Sequence, residues 1–181
     1  MDGGAQGKTL LELIAVLAIL SVLTTVAAPK LNASRESAEA QQFGQLLTRM
    51  LTLARRTAVT SGKRTTLCLS ADQQHCSKSW SGSTTSILVF TDINQNRQLD
   101  SSDILHRAQS LQLTLGHGLW RGSLGRKYMR YRVDGSAVEF GRYSYCPSSR
   151  NRANFRQIVI NHAGRAYTHY DDNGLVTDCA W

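Results

Sequence analysis

The 181-residue sequence lacks the signatures of most catalytic and ligand-binding classes. It has no nucleophile elbow, no glycine-rich phosphate loop and no HExxH, and His75, His106, His117, His162 and His169 are scattered. No catalytic residue is assigned, and an enzyme is not expected. The cysteines form no CxxC and have no closely spaced histidine partners, which argues against zinc. No metal site and no cofactor are expected. Internal repeats and low-complexity tracts are absent as well. Acidic residues are the scarce charge, 13 against 21 Lys and Arg.

A single long hydrophobic run is present. Residues 10–28 read LLELIAVLAILSVLTTVAA, with Glu12 as the one charge. About 20 apolar residues match the hydrocarbon thickness of a bilayer, whereas a signal peptide has a shorter apolar part ending at a small-residue cleavage site. Ala27-Ala28-Pro29 is a poor site of that kind, because a helical pattern continues beyond it. The run therefore reads as a membrane anchor for an exported domain. A carboxylate near the start of such a helix is costly in lipid. Glu12 is either a functional group or a charge held at headgroup level, where the helix dipole favours it.

All four cysteines, Cys68, Cys76, Cys146 and Cys179, lie beyond the anchor. An even number in an exported domain points to disulfides. Of the three possible pairings, Cys68–Cys76 with Cys146–Cys179 is the most economical. The first closes a short loop, and the second ties the last residues to the body.

Beyond Pro29 the helical pattern continues. Phe43, Leu47, Met50, Ala54 and Ala58 recur at three- and four-residue steps, widened by Leu46 and Leu53. Arg35, Glu36, Glu39, Gln42, Arg49 and Arg56 lie largely off that stripe. The spacing predicts a helix bent rather than ended at Pro29, closed by Ser61-Gly62 and packed by its stripe on a sheet. Strands are predicted over 64–70, 85–91, 109–115, 128–133, 137–140 and 155–161. Asp134-Gly135 is a hairpin signal between two of them, and 116–125 and 147–154 read as loops. The fold class is α+β, a long N-terminal α-helix (a membrane-spanning half, then an amphipathic half) packed on an antiparallel β-sheet globular domain.

The positive charge is concentrated. Between Arg121 and Arg165 ten basic residues face only Asp134 and Glu139, so this window alone accounts for the net charge of +8. Nearly all are Arg, the side chain suited to phosphate and carboxylate. A solubilising surface and an anionic partner both fit. Tyr128, Tyr131, Tyr143 and Tyr145 interleave with them, either as strand packing or as platforms for bases of a single strand. Residues 92–103 partly match a calcium loop through Asp92, Asn94, Asn96, Asp100 and Asp103. Arg97 replaces the turn glycine and Asp103 the bidentate Glu, so a turn satisfying its own backbone is expected.

Gly7-Lys8-Thr9-Leu10-Leu11-Glu12, followed directly by the apolar run, resembles the processing site of type IV prepilins, usually Gly-Phe-Thr-Leu-Ile-Glu. The resemblance implies a leader over 1–7, cleavage between Gly7 and Lys8 by a prepilin peptidase, and methylation of the new N-terminus. It implies a transmembrane and assembly helix over 8–29 and a periplasmic pilin domain over 30–181 that includes the amphipathic half of the helix. In pilins the residue at the place of Glu12 meets the N-terminal amine of a neighbouring subunit, and a helix-bending proline stands where Pro29 does. The chain departs from the pattern at Lys8, where the family usually has an apolar residue. Its leader MDGGAQG has no Lys or Arg and carries Asp2. Lys8 supplies positive charge on the cytoplasmic side and stands one helical turn before Glu12.

Further stretches are similar to the GspH/FimT group of pilin-like proteins. These are Leu53-Ala54-Arg55 with Ala58, Leu67-Cys68-Leu69-Ser70, and Trp80 followed by Ile87-Leu88-Val89-Phe90-Thr91-Asp92 with Asn94. Gln157-Ile158-Val159-Ile160 and Gly164-Arg165 complete the set. This resemblance implies a minor pilin near the tip of a type IV pilus, based in the bacterial inner membrane, with other minor and major pilins as partners. The minor pseudopilin of a type II secretion system is the alternative within the same group. Some FimT-like members bind DNA for natural transformation around a C-terminal Gly-Arg-x-Arg. Here the stretch is Gly164-Arg165-Ala166-Tyr167, without the second Arg. The candidate DNA-binding residues are Arg126, Lys127, Arg130, Arg150, Arg152, Arg156 and Arg165, acting on phosphates without sequence preference.

Overall fold

The computed structural model describes residues 10–170 and Cys179, with side chains throughout that set except at positions 24, 26–30 and 80–85. Gly7, Lys8 and the leader over 1–7 lie outside the described residues, as does the side chain of Pro29. The chain divides into two compact units, Met1–Arg35 and Glu36–Trp181. Helix α1 (Leu10–Ser61) begins in the first and runs through Pro29. It stops where expected, because Gly62 takes a left-handed φ of 64° that closes the C-terminus without a Cβ penalty.

In the second unit the stripe of α1 is buried as its period requires. Ala40, Phe43, Leu47, Leu51, Ala54 and Ala58 are fully covered. They pack with Leu67, Leu69, Ile87, Val89, Met129, Tyr143, Tyr145 and Ile158 into the main core. The sheet has seven antiparallel strands in the order β4-β1-β2-β3-β5-β6-β7. These are β1 (Thr65–Ser70), β2 (Ser79–Thr91), β3 (Ile104–Gly122), β4 (Tyr128–Tyr131), β5 (Gly141–Pro147), β6 (Arg156–Ile160) and β7 (Ala166–His169). The α+β class and the antiparallel sheet are as expected.

β1 is buried at every position, because the sheet is covered on two faces there. Leu67 and Leu69 meet the helix side. Cys68, Leu88, Phe90 and Tyr128 form a second cluster that Cys76 and Leu99 cover. A third, smaller cluster joins Cys146, Phe155 and Cys179. Disulfides Cys68–Cys76 and Cys146–Cys179 staple these outer clusters, the more economical of the pairings.

Several strand boundaries differ from expectation. Residues 116–122 belong to β3 rather than to a loop, and β5 and β7 were not expected. The glycines that read as loop signals are spaces for rings. A Cβ on Gly116 would collide with the Tyr145 ring, and one on Gly122 with Trp120. Gly141 lets β5 approach the Arg121 carbonyl. Segment 137–140 is not a strand, and contributes one bridge, Tyr131↔Ala137. Its Glu139 turns inward to an arginine instead, as described next.

Candidate assembly surface and cationic loops

In the first unit the apolar side chains of α1 face outward. Leu10 and Leu11 are 78% and 77% exposed, and Leu17 is 57% exposed. The hydroxyls in this stretch satisfy themselves, since Ser21 donates to the Ala18 carbonyl and Thr25 to that of Val22, both at 2.8 Å. Such back-bonding satisfies these two hydroxyls on an apolar surface. Glu12 sits in the first turn, where the amide dipoles favour a negative charge. Among the described residues, no helix is long and apolar enough to cross a membrane.

Two carboxylates of α1 in the second unit tie other elements to the helix, Glu36 the loop after β5 and Glu39 the strands β3 and β5. Glu36, only 4% exposed, accepts from the Ser149 hydroxyl at 2.5 Å, the Ser149 amide at 3.1 Å and the Asn154 side chain at 2.8 Å. Burial alone would raise its pKa, but these hydrogen bonds together bring it below the ordinary value. Glu39 accepts from the Thr114 amide and hydroxyl, both at 2.9 Å, the Leu115 amide at 3.1 Å and the Tyr145 hydroxyl at 3.0 Å. Burial and the neighbouring carboxylates push the Tyr145 phenol up. The sequence placed both glutamates off the apolar stripe, on the polar side. Their spacing of three residues, facing one way on the helix, was the available signal.

The candidate cations fall into unlike groups. Arg130 is not available to an outside ligand. It forms an ion pair with the buried Glu139 at 2.6 Å, which raises its pKa. Arg156 donates to the Ala153 and Phe155 carbonyls at 2.7 Å and lies over the Tyr170 ring. Exposed Arg150 and Arg152 precede it, Arg156 itself opening β6, while Arg165 follows β6. A five-residue strand separates the two sets by roughly 13 Å. Arg165 shares a groove of about 690 Å³ with Arg55 and Arg56 of α1. Its turn depends on Gly164, whose φ is 73° and whose Cβ would strike the Gly135 carbonyl. Arg126 and Lys127 lie apart from all of these, on the loop entering β4.

Base stacking by the tyrosines is ruled out. Tyr131, Tyr143 and Tyr145 are at most 1% exposed and Tyr128 is 6% exposed. They are core residues, with Tyr143 stacked on Trp120 at 4.2 Å, and burial drives the Tyr131 and Tyr143 phenols upward. The 92–103 segment satisfies its own backbone. Asp92 accepts from the Arg97 amide, Asn94 from the Asn96 amide, Asn96 from the Gln98 amide and Asp103 from the Ile93 amide. Asp100, held at about 2 chiefly by the Ser102 hydroxyl and the Asn94 side chain, completes the turn. No group of three metal-binding side chains occurs among the described residues.

The described chain thus joins a helix with an exposed apolar start to a disulfide-stapled α+β domain. The model of the GspH family, Type II transport protein GspH, matches residues 44–164. The chain belongs to that family, which comprises minor pilins and pseudopilins of type IV pili and type II secretion, structural and not enzymatic. The fold is similar to that of the type IV minor pilin FimU of Pseudomonas aeruginosa (strain PAO1), with a TM-score of 0.52 and 19% identity over 73% of this chain and 89% of that one. A second crystal form of FimU gives a TM-score of 0.46 at 19% identity, over 73% of this chain and 90% of that one. No curated protein matches the sequence.

Proposed function

We propose that this chain is a minor pilin that assembles through its N-terminal helix near the tip of a type IV pilus. The observation that carries this reading is the exposed apolar surface of α1 around Glu12 in a member of the GspH family. Apolar side chains at such exposure need cover from lipid or from other helices. In this reading prepilin peptidase cuts between Gly7 and Lys8 and the new N-terminus is methylated. The helix over 8–29 is then a single-pass anchor in the inner membrane, bent at Pro29, with the domain over 30–181 in the periplasm. Neighbouring minor and major pilins replace lipid when the subunit enters the filament, and Glu12 sets register against their N-terminal amines. Mass spectrometry of the N-terminus tests the first step, and an uncut chain still carrying Met1 would remove the filament reading. Glu12→Ala tests the second, with loss from sheared pili while the membrane-bound pool persists. Retention in sheared filaments at the normal level counts against the assigned role of Glu12. In a host with both machineries, loss of secretion rather than of piliation on gene deletion would move the chain to the pseudopilus.

A second reading, DNA binding in natural transformation, is favoured by the exposure of Arg150, Arg152 and Arg165. The Arg130–Glu139 pair and the buried tyrosines weigh against the wider set. A mobility shift in low salt that disappears in the Arg150, Arg152 and Arg165 to Ala variants is the expected result. No shift at all would end this reading.

A further inference from the structure

The loops before β2, β3 and β4 bring together Arg97, Arg126 and Lys127, none of which forms an ion pair with a described acid. A cavity of about 320 Å³ is lined by His75, Asn96, Arg97, Gln98, Arg126 and Lys127, together with Tyr128. Lys78 stands at its margin, with Nζ 3.7 Å from where a Cβ on Gly125 would lie. The carboxylates beside the cavity are already engaged: Asp72 by the His75 ring at 2.6 Å, the His75 and Gln74 amides and the Ser70 hydroxyl, Asp92 by the Arg97 amide, and Asp100 by the Asn94 and Asn96 side chains and Ser102. Like charges gathered without counter-charge raise the local potential and draw anions.

Two further observations point to a ligand. Tyr128 is 6% exposed, yet its hydroxyl has no partner among the described residues. The Arg126 Nε is likewise buried and unpartnered. Buried donors are almost always satisfied, so two orphans on residues that line one cationic cavity call for a missing acceptor. The walls are also built to hold shape. Cys68–Cys76 closes one side, the Leu99 amide donates to the Gln74 carbonyl at 3.1 Å, and Trp120 Nε1 donates to the Arg126 carbonyl at 3.0 Å. Three loops distant in sequence are thus locked around one space.

We infer that this cavity is a binding site for a phosphate group, with Arg126, Arg97 and Lys127 as the charged contacts and the Tyr128 hydroxyl as a neutral donor. Arg presents a planar fork matched to phosphate oxygens, and Lys adds a point charge. The inference does not rest on the assembly reading; it shares Arg126 and Lys127 with the wider set of DNA candidates, but not Arg150, Arg152 and Arg165, on which the DNA reading stands.

The test is calorimetric titration of the full-length chain, in a neutral detergent at low salt, with pyrophosphate and separately with a short oligothymidylate. Pyrophosphate binding is expected, weakened at least about tenfold by Arg126→Ala, the loss of a charge-assisted contact. Lys127→Ala, on an exposed side chain whose removal spares the fold, weakens it by a smaller factor. Arg107→Ala, an exposed arginine outside the cavity, leaves it unchanged. Competition between oligothymidylate and pyrophosphate assigns a phosphodiester ligand, and binding of pyrophosphate alone assigns a small phosphorylated one. No binding by the wild-type chain, or equal binding by Arg126→Ala and Lys127→Ala, overturns the site. A mobility shift lost on changing Arg150, Arg152 and Arg165 while pyrophosphate still binds would separate this site from the DNA reading.

Discussion

Leu17 and Leu47 lie on the same helix, yet one is 57% exposed and the other fully buried. The difference is not in residue type or helical period but in what each stretch has beside it. From Glu36 onward, a seven-stranded sheet covers the stripe, and polar residues of the helix reach out to hold one of its loops and the strand β3. In the first unit nothing in the described chain covers the leucines. The same hydrophobic free energy therefore folds one stretch and leaves the other to seek a bilayer or neighbouring helices.

The sharpest break in that comparison is a matched pair of substitutions. Leu47→Ala should cost about 2–5 kcal/mol through lost burial and a cavity, read as a lower denaturation midpoint of the second unit. Removing Cys146–Cys179, with a sequence separation of 33, should cost about 4 kcal/mol, against about 2–3 kcal/mol for Cys68–Cys76 at a separation of 8, on the chain-entropy account. Melting the two double-Ser variants side by side checks the order, and a reversed order would mean that outer-cluster packing outweighs loop closure.

Glu36 gives the next smaller effect. Its replacement by Ala leaves the Ser149 and Asn154 donors unmatched, at about 1–3 kcal/mol. Because its pKa is lowered on folding, its contribution is complete above the ordinary value of 4.5 and fades as pH falls through the lower folded value. The wild-type chain should lose stability in that acid window by more than Glu36→Gln does. Parallel losses would show that other carboxylates govern acid unfolding. The smallest expected effect is at the other leucine. Leu17→Ala should move the melting transition by no more than about 0.5 kcal/mol, while reducing recovery in sheared filaments. A large stability loss there would mean that the first unit is covered within its own chain.

Much of this was legible in the residues themselves. Period and a terminal glycine are local facts, so the stripe from Phe43 to Ala58 and the stop at Gly62 needed no tertiary knowledge. The GspH resemblance was carried by short stretches on β1, β2 and β6, which are core strands whose side chains are constrained by packing. β5 was missed because its Gly141, and Gly116 and Gly122 on the partner strand β3, resemble loop signals until the backbone and rings they accommodate are in place. β7 is four residues long and mostly exposed, so it carries little hydrophobic pattern of its own. The candidate cations were legible as a cluster of charge but not as a surface.

The sequence by itself determined the long helix, its apolar stripe, the α+β class and the Gly7–Glu12 constellation that suggests a prepilin, because each depends on neighbours within a few residues. Only the tertiary structure decided which charges remain available. It spends Arg130 on Glu139, Glu36 on a loop amide and Glu39 on strand amides, and four tyrosines on the core. It also brings Arg97 beside Arg126 and Lys127. The physical reason is that a charge or a ring is defined by its partners, and here those partners come from distant parts of the chain.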